Sequence, residues 1–68
     1  MKSISGKDLC RLLEKKGWQL KNIKGSHHVY MTAGRKERIS VPVHGSKDLK
    51  YGLLKAIMNI AGLNEDEL

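Results

Sequence analysis

Two adjacent histidines, His27 and His28, are the residues of this sequence best suited to acid–base chemistry. They come just after Gly25 and open a β-favouring run. Adjacent residues of a strand point to opposite faces of a sheet, so the two imidazoles cannot share one role. The alternation predicts that His27 lies with Val29 on the face toward the helices, half-sheltered, and that His28 lies with Tyr30 on the outer, exposed face.

A half-sheltered imidazole at His27 has the properties of a general base. Desolvation and nearby cations disfavour its charged form, so we expect a neutral ring that accepts a proton. Metal-free RNA cleavage needs such a base to take the proton of the ribose 2′-hydroxyl, together with cations that hold the phosphate. The alternative is a histidine that only packs at the core edge, which is the commoner role for a lone histidine.

Other basic residues are candidates for contacts with RNA near His27. We predict phosphate contacts from the cations that flank the strands and turns, namely Lys24, Arg35, Lys36, Arg38 and Lys47. His28 is a candidate helper that stacks on RNA or hydrogen-bonds to it from the open sheet face. His44, at a strand exit, is a candidate to approach the phosphate. Each of these residues is more often an ordinary solvated side chain.

No metal site is predicted from the same side chains. Cys10, the pair His27–His28 and His44 come from different parts of the predicted fold without a four-ligand pattern, and no paired-cysteine spacing for zinc is present. No pair of carboxylates suggests a two-metal nuclease, and Ser26 beside His27 lacks the orienting third group of a nucleophile pair. We therefore expect chemistry without a metal or another cofactor.

A first helix and three strands must position the histidines. The helix is predicted over residues 6–16, with Ser5 as its N-cap and Gly17 as its left-handed C-terminal residue. Residues 18–43 then predict a three-stranded antiparallel meander. The third strand alternates most regularly: Ile39, Val41 and Val43 are expected to face the helices, Arg38 and Ser40 to face outward, and Pro42 to mark a sheet edge or the end of a strand.

A second helix completes the predicted architecture. Ser46 or Asp48 is expected to cap it and Gly62 to end it, and an apolar stripe runs from Leu49 through Leu53 and Ile57 to Ile60. Asn64 with Glu67 predicts a further short helical turn. The chain is thus predicted to be one domain over residues 1–68, an α+β two-layer sandwich of order α-β-β-β-α with both helices on one face of the sheet.

The composition favours a polyanionic partner. Thirteen lysines and arginines oppose seven acidic residues, a net charge of +6, and three of those acids are Glu65, Asp66 and Glu67. Residues 1–64 therefore hold 13 cations against four carboxylates, a net +9. The single Cys10, the lack of a signal-peptide pattern and the lack of a membrane-spanning apolar run predict a cytoplasmic protein.

Along nearly its whole length the sequence resembles the HicA family of bacterial messenger-RNA interferases. The resemblance begins at the Ser5 helix and runs through residues 24–28, 41–44, 49–57 and 61–63. It implies a fold like that of a double-stranded-RNA-binding domain, and a catalytic histidine that is the first after the Gly-Ser pair, here His27. It also implies a HicB antitoxin that covers the active site, and a role in growth arrest under stress.

Taken together, these observations predict a metal-independent endoribonuclease that acts on messenger RNA, with His27 as its general base. One alternative is a non-catalytic RNA-binding module of the same fold, which would share the charge and the strands and which only His27 argues against. Another is an adaptor whose basic surface binds an acidic protein, which leaves the histidine motif unexplained.

Overall fold

Helix α1, Gly6–Lys15, begins where the sequence predicts it in the computed structural model, which describes residues 3–68. The Ser5 hydroxyl accepts a hydrogen bond from the backbone N–H of Asp8 at 3.2 Å and so satisfies one free donor of the first turn. Gly17 follows the helix with φ +95°, the left-handed conformation expected of it. The prediction of one domain over residues 1–68 includes Met1 and Lys2, which lie outside the described residues.

Three antiparallel strands follow: β1 (Gln19–Lys24), β2 (His27–Met31) and β3 (Ile39–Pro42), with β2 in the centre. A two-residue loop joins β1 to β2, and Gly25 has φ +58° whereas Ser26 has a negative φ. A positive φ at the first loop residue alone is typical of a type II′ hairpin, which favours glycine there. The predicted meander is confirmed, and β3 is an edge strand, as Pro42 indicated.

Helix α2, Tyr51–Ala61, starts later than the sequence predicted. Its N-cap residue is Lys50 and not Ser46 or Asp48. The reason is a contact that is distant in the sequence: the backbone N–H of Leu49 donates to the carbonyl of Ile4 at 2.9 Å, and Asp48 forms an antiparallel bridge with Ser5. Residues drawn into this extended pairing cannot also be helical.

The end of α2 and the last residues follow the predictions. Gly62 terminates α2 with φ +70°. Asn64 and Glu67 then form a reciprocal capping box around a short 3-10 turn, Glu65–Glu67.

One hydrophobic core joins both helices to one face of the sheet. Its most deeply buried side chains are Leu9, Leu13, Tyr30, Ile39, Val41 and Leu54. The opposite face, called the open face below, has no helix packed on it among residues 3–68. The α+β two-layer sandwich predicted from the sequence is confirmed.

The start of α1 lies directly against β3 at Gly6. A β-carbon added there would overlap the carbonyl oxygen of Pro42 and lie 3.3 Å from the α-carbon of Val43. By contrast, a β-carbon added at Gly52, in the first turn of α2, would meet nothing within 4 Å. Of these two glycines, only Gly6 is required by the close approach of another backbone.

Candidate active site

The structure reverses the predicted faces of β2. His28 pairs with Val41 and Tyr30 pairs with Ile39, and both partners on β3 are buried beneath the helices. Residues directly opposite each other on neighbouring strands share a face, so His28 and Tyr30 lie on the helix side. His27 lies on the open face and is exposed. The prediction of a half-sheltered His27 and an exposed His28 was wrong.

Tyr30 accounts for this reversal. Its side chain is 1% exposed, and its hydroxyl donates a hydrogen bond to Oε2 of Glu14 on α1 at 2.9 Å. An aromatic ring buries more apolar area than the valine or methionine beside it, and this hydroxyl finds a partner when it is buried. The tyrosine thus occupies the core and turns His27, Val29 and Met31 outward.

Burial at this point also keeps two side chains protonated. Burial, then hydrogen bonding with Cys10 and Glu14, raises the pKa of the Tyr30 hydroxyl far above its ordinary value. Burial likewise raises the pKa of the Cys10 thiol, assisted by the charge of Glu14 and opposed by the hydrogen bond with Tyr30. A thiol held in its protonated form is a poor nucleophile, so these groups support the fold and not a reaction.

His28 cannot assist from the open face. It is half-buried and lines a cavity of about 230 Å³ between α1 and the sheet, together with Cys10, Tyr30 and Val43. The sheet itself separates this ring from the ring of His27. The suggested helper that stacks on RNA from the open face is therefore misplaced.

On the open face, His27 is the centre of a row of three side chains, one from each strand. Lys24 of β1 lies opposite it on one side, and Pro42 of β3 lies opposite it on the other. These three residues are called the His27 row. The row places a lysine directly opposite a histidine, and both residues are exposed. The predicted proximity of Lys24 and His27 is confirmed.

A shallow cavity adjoins the Pro42 end of the His27 row. It has a volume of about 250 Å³ and is lined by the residues Pro42, His44, Lys47, Asp48, Leu49, Lys50 and Leu53. Two of the predicted candidates, His44 and Lys47, therefore lie beside the His27 row. Lys50 was missed by the sequence analysis, although its position three residues after Lys47 in a basic segment was an available signal.

Three predicted phosphate contacts lie elsewhere. Arg35, Lys36 and Arg38 belong to the segment between β2 and β3, which joins the Met31 end of β2, whereas His27 is at the other end. The expectation that these cations lie near His27 was wrong, because the strand places its full length between them. Whether they contact a longer RNA stays a prediction.

Arg35 already has partners within the fold. Its guanidinium lies 5.3 Å from the centroid of the Trp18 ring and donates to the carbonyl of Ile60 at 2.8 Å and to Glu37 at 3.1 Å. These contacts tie the segment after β2 to the end of α2. Arg35 therefore has a structural role whether or not RNA reaches it.

Neither metal ligation nor a membrane span emerges from the described part of the chain. Within residues 3–68, no three histidine, cysteine or acidic side chains lie together in a way that could hold a metal ion. None of the helices in this range is long and apolar enough to cross a membrane.

The sequence model of one family, described as HicA toxin of bacterial toxin-antitoxin, matches residues 6–63 of the 68-residue chain. The match includes α1, all three strands, α2 and the whole of the His27 row. No curated protein matches the chain significantly.

Proposed function

Because the chain belongs to the HicA toxin family of bacterial toxin–antitoxin systems, we propose that it is an endoribonuclease that cleaves messenger RNA with His27 as its general base. The observation that supports this most strongly is the His27 row: an exposed imidazole beside Lys24 at the centre of a sheet face that the described chain leaves uncovered.

The proposed reaction uses the ribose of the substrate as its nucleophile. An unprotonated nitrogen of His27 takes the proton of the 2′-hydroxyl, and the 2′-oxygen attacks the adjacent phosphorus. Lys24, with Lys47 nearby, holds the phosphate and balances the extra negative charge of the transition state. Exposure suits this role, because a ribose in a long RNA must reach the ring and the flat face offers no steric barrier.

The proposed partners follow from the same surface. Messenger RNA is the substrate, and a HicB-like antitoxin is proposed to cover the His27 row and so to block the reaction. A non-catalytic RNA-binding module remains the second candidate, since the exposed lysines of the open face would bind RNA in either case. Cleavage itself separates the two functions.

Cleavage of RNA by the purified protein is expected to persist in excess EDTA. The reaction proposed here needs only a base and cations that the chain itself provides. The measurement is gel analysis of end-labelled RNA with EDTA or with added Mg²⁺, together with identification of the product ends. Cyclic 2′,3′-phosphate ends are expected. Loss of cutting that Mg²⁺ restores would replace this mechanism with a metal-dependent one.

Removing the charge of Lys24 should weaken the salt dependence of RNA binding. Each phosphate contact with single-stranded RNA contributes a slope of about 0.7 in log affinity against log salt, so Lys24→Ala should lower the slope by roughly that amount. Binding is measured by fluorescence anisotropy at several salt concentrations.

Lys15→Ala is the matched control, because it removes the same charge from α1, on the other side of the sheet. Its slope should stay close to that of the unaltered protein. Equal effects of the two variants would mean that RNA responds to net charge alone and does not follow the open face.

A further inference from the structure

The alternation of side chains along β3, extended two residues past Pro42, assigns His44 to the same sheet face as His27. Val41 of β3 is buried beneath the helices, and the next residue, Pro42, pairs with His27 on the open face. Val43 then returns to the helix side, where it lines a cavity together with Cys10 of α1. The side chains thus alternate regularly between the two faces. The next residue, His44, returns to the face of Pro42, and the two residues line the same cavity.

Pairing between the end of β3 and the start of β2 continues past Pro42. The N–H of Val43 donates to the carbonyl of Ser26 at 2.7 Å, beyond the last residue of β3. Ser26 and Val43 are therefore a hydrogen-bonded pair, and His27 with Pro42 is the closer, non-hydrogen-bonded pair. His44, two residues past Pro42, is the diagonal neighbour of His27, a relation in which positions lie about 7 to 8 Å apart.

The charged surroundings of the two imidazoles differ. Lys24 faces His27 from β1. His44 shares the cavity beside Pro42 with two lysines, Lys47 and Lys50, and with Asp48. A phosphate bound over Pro42 would thus have His27 and His44 as neighbours, with Lys24 beyond His27 and with Lys47 and Lys50 near His44.

On this geometry we propose that His44 is the proton donor of the cleavage reaction. The inference rests on the proposed function and assigns the half of the reaction that His27 leaves open. The 2′-oxygen forms its bond to phosphorus as His27 takes its proton. The bond from phosphorus to the 5′-oxygen of the next nucleotide breaks, and the imidazolium of His44 gives its proton to that oxygen. The products are a 2′,3′-cyclic phosphate and a 5′-hydroxyl end.

The general base and the proton donor must occupy two separate positions. In an in-line displacement the attacking and the leaving oxygen are on opposite sides of the phosphorus, so the base and the acid must approach from different directions. His28 cannot be the donor, although it is adjacent to His27 in the sequence, because it lies on the helix side. His44, distant in the sequence, lies on the correct face.

The role of His44 as proton donor can be tested with a substrate whose leaving group does not need a proton. One short RNA, built around a cleavage site mapped in the EDTA assay, is compared with the same RNA carrying sulfur in place of the bridging 5′-oxygen at that site. His44→Ala should slow cleavage of the oxygen substrate by about 10²- to 10⁴-fold. It should slow cleavage of the sulfur substrate only a few-fold, because a thiolate leaves without protonation.

Other variants keep the result interpretable. His27→Ala should slow both substrates strongly, since each needs the 2′-hydroxyl deprotonated. His28→Ala, on the same strand but the opposite face, should leave the ratio of the two rates unchanged. Because this ratio is taken on one preparation, it does not depend on what fraction of a variant is folded.

The outcomes separate this inference from the proposed function. If the unaltered protein cleaves neither substrate, the proposed function is overturned. If it cleaves both and His27→Ala abolishes cleavage, but His44→Ala slows the two substrates equally or slows neither, then the nuclease stands and His44 is not the donor.

Discussion

Replacing His27 with alanine is expected to abolish RNA cleavage and growth inhibition while the domain stays folded and still binds RNA. Removing a general base typically lowers a rate by about 10²- to 10⁴-fold. The side chain is exposed on the open face, so its truncation should change the free energy of unfolding by no more than about 0.5 kcal/mol. Single-turnover cleavage, RNA affinity and thermal unfolding measure the three properties.

His28→Ala is the control for this experiment. It changes the adjacent residue of the same strand, but its ring lies between the sheet and α1. We expect a modest loss of stability and near-normal cleavage. A His27→Ala protein that cuts RNA at the normal rate would instead favour the binding-module function, and the reverse ranking of the two variants would contradict the faces of β2 described above.

Gly6→Ala is expected to produce the largest loss of stability among single-methyl changes at the glycines. The new methyl group would overlap the Pro42 carbonyl oxygen, and a backbone atom cannot move aside as the end of a flexible side chain can. Overpacking of this kind costs about 1 to 3 kcal/mol. For a domain of this size the melting temperature should fall by about 5 to 20 °C. Cleavage should also weaken, because Pro42 flanks His27.

Gly52→Ala provides a matched comparison. Both glycines lie in the first turn of a helix, but the space around Gly52 is open. Alanine there should raise stability by up to about 1 kcal/mol, through its higher helix propensity. Thermal unfolding of both variants by circular dichroism gives the comparison. If both changes stabilise the protein equally, Gly6 does not pack against β3 as closely as described.

Local patterns in the sequence predicted most of the architecture. The cap at Ser5, the glycines after each helix and the alternation of Ile39 and Val41 depend on near neighbours, and all of them are confirmed. The start of α2 depends instead on the pairing of Leu49 with Ile4, far away in the sequence. No local pattern reports that pairing, so the helix was predicted too early.

The prediction of which face of β2 is buried was wrong for a related reason. Val29 and Met31 alternate as a buried face would, and Tyr30 carries a polar group that suits an exposed one. The choice between these two phases is decided by partners on other elements, Glu14 on α1 and Ile39 on β3. Hydrophobic alternation alone reports that the faces differ, not which of them is covered.

The positions of the site residues also divide into those that local sequence predicted and those that depend on the tertiary fold. Lys24 is joined to His27 by a two-residue loop, so their proximity was evident from the sequence. The segment that holds Arg35 seemed equally near, but the direction of β2 carries it to the far end of the sheet. Proximity along the chain was therefore informative across a tight turn and misleading across a strand.

Both free edges of the small sheet carry features that discourage further strands from joining it. On β3, the N–H of Val43 points toward β2, so Pro42, which has no N–H, offers an incoming strand no donor on the outer edge, and the start of α1 lies against its carbonyl at Gly6. On β1, a bulge between Leu20 and Asn22 interrupts the ladder, and two lysines, Lys21 and Lys24, lie within this exposed strand. Such edges resist amyloid-like stacking. A protein of this kind can therefore leave one sheet face uncovered without its own strand edges promoting aggregation.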